Sequence, residues 1–408
     1  MKELEVKENG NIQGLVKISI FLLVLVGLNP DWYSMRLVWW GVAGFSSVVM
    51  IFFIMKESIP VINLYTIWMF IFFLWSTISY FWAITPEFSV DIIKTLFVNM
   101  IVFWLLSCII QTERDIMQLL ELIAYAIVII AVYMLFSMDL GLVGEKQIGV
   151  DILGEKWNGN SIGIMMAFAT MISLVIIKKT NKRPQKATFL IIMIFTTVIA
   201  LFTGSRKAVF FILFGGIMFT ILSSRKQKMT VWLGIPFVLL VFYLLIMNVP
   251  ALYNVLGWRL EGLDALITGK GEIDSSTQLR VRYIEYGISF FKEQPILGHG
   301  ANNFRTLLGH EIGKITYSHN NYIEILVNLG VIGFIVHYFG YFYILKKTVV
   351  PALLKRQDPI YAFSFVMLVT ILFAQYGWVT YFDFLVNLFL CVAFLLIKVK
   401  GMGINGKR

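Results

Sequence analysis

The sequence predicts an all-α polytopic membrane protein, and three observations support this fold class. Of its 408 residues, 59% are hydrophobic and only 14% are charged, and the mean hydropathy is +0.80. Soluble domains typically carry about 25% charged residues. Apolar runs long enough to cross about 30 Å of hydrocarbon recur along the chain, whereas barrel strands would be short and would alternate apolar with polar residues.

Twelve apolar runs are predicted to be transmembrane helices. They are residues 15–29, 37–55, 61–82, 92–110, 118–138, 160–177, 187–203, 207–222, 230–248, 321–345, 360–378 and 383–398. The chain is thus divided into nine helices in residues 1–249, one long extracytoplasmic loop at 250–320, and three helices with a cytoplasmic tail in residues 321–408.

The placement of lysine and arginine predicts the orientation. With the N-terminus inside, the basic connections Lys178–Lys186 and Lys346–Arg356 become cytoplasmic, as the positive-inside rule requires. The net charge of +10 is then a topology and headgroup signal, which makes membrane lipids the expected surroundings. No basic soluble face suited to nucleic acid is visible, and neither Cys108 nor Cys391, both in apolar runs, suggests a disulfide.

The long loop is predicted to carry an amphipathic helix. A flexible segment from Gly257 to Thr277 precedes a helix from Leu279 to Gln294, which Pro295 ends. Apolar residues from 281 to 291 form one arc of this helix, so it should lie on the membrane surface or cap the bundle. Arg280 projects from the apolar arc, where it either snorkels to a lipid phosphate or serves a site. Arg282 lies on the solvated arc.

A second anomaly is the short turn Thr203-Gly204-Ser205-Arg206-Lys207 on the predicted outer side. Basic residues in an outer turn oppose the positive-inside bias. Either an anionic group is held there, or a Gly-Ser helix break carries two snorkelling cations.

Three of the four histidines fall between Arg280 and Gly333, which is the most polar and patterned part of the chain. It contains Pro295-Ile-Leu-Gly-His-Gly300 and Ser318-His319-Asn320-Asn321-Tyr322. Two arginine sites beside a histidine suit transfer from a lipid-linked diphosphate, because arginine binds phosphate oxygens in a fork and histidine can accept a proton from a hydroxyl. His319 is the candidate base, and the alternative is a structural cap on the helix that begins at Tyr322.

These motifs resemble the O-antigen ligase and polymerase superfamily. The resemblance rests on Gly-Ser-Arg at a span boundary, an arginine fifteen residues before Pro-Ile-Leu-Gly-x-Gly, and Ser-His-Asn-x-Tyr leading into Leu326-x-x-x-Gly330-x-x-Gly333. It covers the chain from Asn160 to about Leu345. At the aromatic position of the family four residues after the loop arginine, this chain has Ile284, with Tyr283 adjacent, which keeps Arg282 as an alternative to Arg280.

The resemblance implies a bacterial cytoplasmic-membrane glycosyltransferase that acts on the extracytoplasmic side. Its donor would be an undecaprenyl-diphosphate-linked glycan, its acceptor a glycan or lipid-linked acceptor, and no metal or nucleotide cofactor would be needed. By matching position, Arg206 and Arg280 would bind the diphosphate and His319 would act on the acceptor hydroxyl, while Asn320 would orient the turn. Further candidates for substrate binding are Lys207, Arg282, Gly298, Gly300, Arg305 and Tyr322.

Weaker signals have simpler interpretations. Gly298 and Gly300 form a tight turn or a backbone nest for phosphate. The acidic pair Glu272 and Asp274 suggests a solvated loop, because no second pair is present to hold a metal. His337, alone within a predicted span, suggests a hydrogen-bonded packing residue.

Two alternatives to a polymerase remain, namely a transporter or flippase and a ligase. A transporter or flippase would place ionisable groups near the bilayer midplane in two related halves, and neither feature is seen. Within the enzyme class, a polymerase joins repeat units and a ligase transfers a finished glycan to another acceptor. The Ile, Lys and Phe bias is compatible with an AT-rich Gram-positive host without lipopolysaccharide, which favours a polymerase.

Overall fold

A computed structural model describes residues 2–28, 36–57, 59, 62–149, 158–224, 229–258, 260–261, 275–354 and 359–405, and their regular secondary structure is helical. The helices are α1 (Lys2–Gly27), α2 (Arg36–Lys56), α3 (Leu64–Ile78), α4 (Pro86–Ile109), α5 (Glu113–Phe136), α6 (Gly159–Lys179), α7 (Arg183–Phe202), α8 (Arg206–Ser223), α9 (Met229–Asn248), α10 (Pro250–Gly257), α11 (Ser275–Glu293), α12 (Phe304–Ile312), α13 (Asn321–Leu353), α14 (Pro359–Ala374) and α15 (Phe384–Asn405).

Nine helices in these described ranges are long and apolar enough to cross a membrane. The bent pair α9 and α10, which turns by 87° at Pro250, is a possible tenth span. The all-α polytopic fold is therefore confirmed, but the predicted count of twelve is not. The apolar part of α1, Gln13–Gly27, is shorter than a full span.

Burial separates central helices from peripheral ones. In the most apolar 18-residue stretch of α6, 78% of the residues are buried, against 28% in the corresponding stretch of α2. Large apolar side chains on the peripheral helices remain exposed, such as Leu37 and Phe136, each 88% accessible. Such surfaces suit contact with lipid, where every helix already satisfies its own backbone hydrogen bonds.

Ion pairs join three helices at one end of the bundle. Glu113 at the start of α5 forms ion pairs with Lys179 at the end of α6 and Lys400 in α15. The other end of α6 reaches the turn before α8, where Asn160 accepts a hydrogen bond from Ser205 at 3.1 Å. Because an α-helix rises about 1.5 Å per residue, these two ends of α6 are about 30 Å apart.

At the end of the bundle distant from Glu113, α13 is broken at Gly330, which has φ 66° and ψ −172°. The break lets the Pro295–Gly300 turn dock on it. Val331 donates its N–H to the carbonyl of Pro295 at 2.9 Å, and His299 donates to the carbonyl of Val327 at 2.9 Å. An added Cβ at Gly298 would lie 2.5 Å from the nitrogen of Gly330, so neither glycine leaves room for a side chain.

The following residues of this turn dock on the connection between α3 and α4. Ala301 donates its N–H to the Ser79 hydroxyl at 3.0 Å and accepts from the Ser89 hydroxyl at 2.8 Å. Asn303 accepts from the Thr85 N–H at 2.6 Å. The polar segment predicted as an external loop is thus attached to the bundle at two places.

We expect Gly330→Ala to destabilise the protein, because its Cβ would lie 2.1 Å from the Ile296 carbonyl oxygen and its φ is positive. The cost should be about 1–3 kcal/mol, the range for a strained backbone position. Thermal unfolding in detergent measures it. Gly44→Ala in α2 is the matched control, since nothing lies within 4 Å of its added Cβ. Equal stability of the two variants would contradict the docking role of Gly330.

Candidate functional site

The first part of the site is the turn between α7 and α8. Gly204 has φ +61°, and an added Cβ would lie 2.7 Å from the Val255 carbonyl oxygen, so this position requires glycine. Ser205 caps α8, because its hydroxyl accepts from the Ala208 N–H at 3.3 Å. Arg206 and Lys207 therefore begin α8, where the helix end already carries partial positive charge. Cations are disfavoured at such an end unless an anion compensates them.

The second part is α11, which packs on α12 and α13. Its buried stripe contains Tyr283, Gly287 and Phe290, and an added Cβ at Gly287 would lie 2.2 Å from the Ile323 side chain. Arg280, half-buried, lies on the same stripe one turn before Tyr283. The helix caps the bundle, which is one of the two placements expected.

The apolar arc of α11 is wider than its buried stripe. Val281 and Ile288 lie on the predicted arc but are 49% and 43% accessible. Arg282 is exposed, as its position on the solvated arc predicted. Between the two candidate arginines, the structure brings Arg280 toward the neighbouring helices and leaves Arg282 on the surface.

The third part is His319, which precedes α13 and has φ +59°. A left-handed conformation is uncommon for a residue other than glycine and marks a position worth testing for function. Its ring stacks on Tyr283, with centroids 6.2 Å apart and planes at 9°, and contacts Tyr317 at 4.2 Å. Two aromatic rings therefore fix the direction of the imidazole.

The turn around His319 is held by its neighbours. Asn320 caps α13, accepting from the N–H groups of Tyr322 at 3.0 Å and Ile323 at 3.1 Å. The Ser318 hydroxyl donates to the Asn320 carbonyl at 2.8 Å and accepts from the Asn320 N–H at 3.1 Å. Because Asn320 supplies the cap, the imidazole of His319 is not needed for that task.

A buried carboxylate beneath this turn was missed in the sequence. Glu324 is 1% accessible and accepts from the Ser318 N–H at 2.7 Å and from the Asn328 amide at 3.1 Å. Asn328 in turn accepts from the Phe304 N–H at 2.7 Å, which links the turn to α12. The available signal was an acidic residue inside an apolar helix, which is expensive unless it has a role.

The charges of these parts converge on His319. Burial, together with the positive charges of Arg280, Lys207 and Lys314, lowers the pKa of His319 to about 4. Lys207 also interacts electrostatically with Arg280 and Arg206. Cations from the α8 turn, from α11 and from the segment after α12 thus act electrostatically on one imidazole, which is neutral at pH 7.

The remaining substrate-binding candidates have structural contacts. Tyr322 donates its hydroxyl to the Leu372 carbonyl at 2.7 Å, and its ring stacks on Tyr338. Arg305 lies over the Phe88 ring at 5.4 Å and interacts electrostatically with Tyr317. Gly298 and Gly300 are buried, and an added Cβ at Gly300 would lie 2.5 Å from Ala83.

The other histidines lie apart from this arrangement. His299 is buried with its Nε2 2.8 Å from the Phe290 carbonyl, and His310 is exposed. The hydrogen bond expected for His337 is absent within the described part of the chain, where its ring packs on Phe72 at 4.8 Å. The described residues contain no group of three His, Cys, Asp or Glu that could hold a metal. The acidic pair Glu272 and Asp274 lies outside them.

Residues 189–338 match the family model described as O-antigen ligase. This confirms the resemblance to the ligase and polymerase superfamily, and the matched range contains Arg206, Lys207, Arg280 and His319. No curated protein matches the chain.

We expect Arg280→Gln to raise the pKa of His319, because the substitution removes a positive charge that disfavours the imidazolium. Histidine NMR of the purified protein measures the titration, and the signal of His319 is assigned by its loss in His319→Asn. Arg282→Gln is the matched control, since Arg282 is exposed. An unchanged His319 pKa in Arg280→Gln would show that the guanidinium does not face the imidazole.

Proposed function

We propose that this protein, whose residues 189–338 match the O-antigen ligase family, transfers a glycan from undecaprenyl diphosphate to an acceptor hydroxyl. The family match supports a membrane glycosyltransferase of the ligase or polymerase type. The observation that carries the finer proposal is the convergence of Arg280 and Lys207 on a neutral His319. The roles of these residues follow from the chemistry that this arrangement permits.

The cations suit a diphosphate. Arg206 and Lys207 begin α8, and Arg280 approaches from α11. Guanidinium groups pair with phosphate oxygens through two parallel hydrogen bonds, and a helix N-terminus adds favourable partial charge. A bound diphosphate would offset the mutual repulsion of these side chains at the membrane boundary.

His319 suits the acceptor hydroxyl. In the proposed step, the hydroxyl oxygen attacks the anomeric carbon of the donor sugar while its proton passes to the imidazole of His319. The bond between that carbon and the diphosphate oxygen breaks, and undecaprenyl diphosphate leaves with the electron pair. The arginines and lysine stabilise the negative charge that develops on the leaving group.

The donor also tunes the base. In the absence of donor, burial and the nearby cations keep the pKa of His319 at about 4, which makes the imidazole neutral but a weak proton acceptor. The negative charges of a bound diphosphate favour the imidazolium and so raise this pKa. The base therefore becomes stronger when the donor is in place, and since the cations stabilise the leaving group, we propose that no divalent metal is required.

The site belongs to the extracytoplasmic side of the bacterial cytoplasmic membrane in this proposal. It lies at the end of α6 distant from the ion pairs of Glu113 with Lys179 and Lys400. Lys179 and Lys400, at the Glu113 end of the bundle, suit the cytoplasmic side under the positive-inside rule. Lipid-linked donors are the activated sugars available outside the cytoplasm.

We favour a polymerase of surface polysaccharide repeat units over a ligase. Deleting the gene and sizing the surface glycan tests this directly. Loss of long chains with single units still exported indicates a polymerase, whereas intact polymer left on its lipid carrier indicates a ligase. Loss of export altogether would contradict both and indicate a transporter.

Arg206→Lys and Arg280→Lys should each lose activity despite keeping the charge, because lysine cannot form the forked contact. A lost hydrogen bond to a charged group costs about 1.5–3 kcal/mol, which corresponds to roughly 10- to 100-fold in rate. Glycan synthesis in the deletion strain, complemented with each variant, measures the effect. Arg282→Ala should retain activity, and a dead Arg282→Ala beside an active Arg280→Lys would show that the wrong arginine was chosen.

His319→Asn should lose activity by about 10²–10⁴-fold, the usual contribution of general-base catalysis. Asparagine tolerates the left-handed conformation, so the variant should fold as the wild type does. Turnover with purified protein and lipid-linked glycan measures the loss, and binding of undecaprenyl diphosphate measures folding of the site. Normal turnover, or loss of donor binding together with folding, would make the histidine structural.

A further inference from the structure

A cavity lies between α1, α4, α6 and the segment before α15. Its volume is about 360 Å³, and its wall includes Thr95, Asn158, Ser161, Trp378 and Asp383. Pockets for small molecules typically span about 300–1,000 Å³ and combine apolar walls with a few placed polar groups. This cavity has both features.

The cavity lies near the cation cluster, which consists of Arg206, Lys207 and Arg280, because two lining residues directly follow residues that contact Lys207 or the turn before it. Trp378 follows Gly377, whose added Cβ would lie 3.3 Å from Cε and 3.9 Å from Nζ of Lys207. Ser161 follows Asn160, which accepts the hydrogen bond from Ser205 in the turn before Arg206. A ligand whose diphosphate lies at the cations can therefore extend toward this cavity.

The polar side chains of the wall disfavour a phosphate and are held in place by the protein. The carboxylate of Asp383 would repel a phosphate, and the N–H groups of Leu385 and Val386 fix its position at the start of α15. The Thr95 hydroxyl donates to the Asp91 carbonyl at 3.1 Å, and the Asn158 side chain accepts from the Asn160 N–H at 2.9 Å. The wall therefore disfavours the diphosphate and presents polar groups that the protein holds in fixed directions.

We infer that the cavity binds an uncharged sugar ring of the substrate, an assignment that rests on the proposed function. A sugar presents an apolar face to an aromatic ring such as Trp378, and its hydroxyls match the carboxylate, amide and hydroxyl groups of the wall. The ring belongs either to the donor glycan or to the acceptor glycan, which share this chemistry. The cavity then selects which repeat unit the enzyme accepts.

Binding to the purified protein in nanodiscs tests the assignment with three probes. They are undecaprenyl diphosphate, the lipid-linked glycan extracted from the deletion strain, and the oligosaccharide released from it by mild acid. Ser161→Phe fills the cavity from an exposed position, and Asp383→Asn removes its charge while keeping a good N-cap. Ser137→Phe, at the exposed end of α5, is the matched control.

Both cavity variants should bind undecaprenyl diphosphate as the wild type does. Weaker binding of the lipid-linked glycan, by about tenfold or more, would assign the donor sugar to the cavity. The same loss for the released oligosaccharide alone would assign the acceptor sugar. Wild-type binding of all three probes by both variants would overturn the inference, whereas a wild-type protein that binds neither lipid diphosphate would contradict the proposed function itself.

Discussion

The arrangement of the site depends on the break of α13 at Gly330. An unbroken helix would use the N–H of Val331 internally, whereas here it bonds to the carbonyl of Pro295. Because α11 ends just before Pro295, this bond fixes where α11 lies. The stripe of α11 that carries Tyr283 then packs against His319, and Arg280 one turn earlier reaches the same place. The break at Gly330 thus helps to position α11 and its Arg280.

The described residues of the site bring several positive charges close to His319. Arg206, Lys207 and Arg280 interact electrostatically with one another or with His319. Glu324 does not neutralise them directly, since its oxygens accept from Ser318 and Asn328. In the proposed function, the same positive charges would attract the diphosphate and keep the histidine neutral, so both properties would have one physical origin.

The all-α membrane fold, the helix α11 and the family resemblance could be predicted from the sequence. Charged residues in apolar surroundings can be recognised without a structure, and this made Arg206 and Arg280 candidates for the site. The spacing of apolar residues also predicted α11, although it begins at Ser275 rather than Leu279. The match of residues 189–338 to the O-antigen ligase family agrees with the motifs that suggested it.

Other features depend on contacts between distant segments, which a single sequence does not specify. The helical wheel placed Val281 and Ile288 on the apolar arc of α11, but it does not distinguish the part of the arc that packs on protein from the part that stays exposed. The pairing of Gly298 with Gly330 and the role of Glu324 appear only when α11, α12 and α13 are together. The prediction that His337 is hydrogen-bonded was wrong for the described part of the chain. Its ring packs against aromatic residues such as Phe72 instead.

We propose that Arg206, Lys207, Arg280 and His319 together release undecaprenyl diphosphate without a metal. The most direct measurement incubates purified protein with lipid-linked glycan in the presence of a chelator and follows the released undecaprenyl diphosphate together with the extended or transferred glycan. We predict equal amounts of the two products from the wild type and almost none from His319→Asn. Activity that disappears in chelator and returns with magnesium or manganese would contradict the account, as would normal release by His319→Asn.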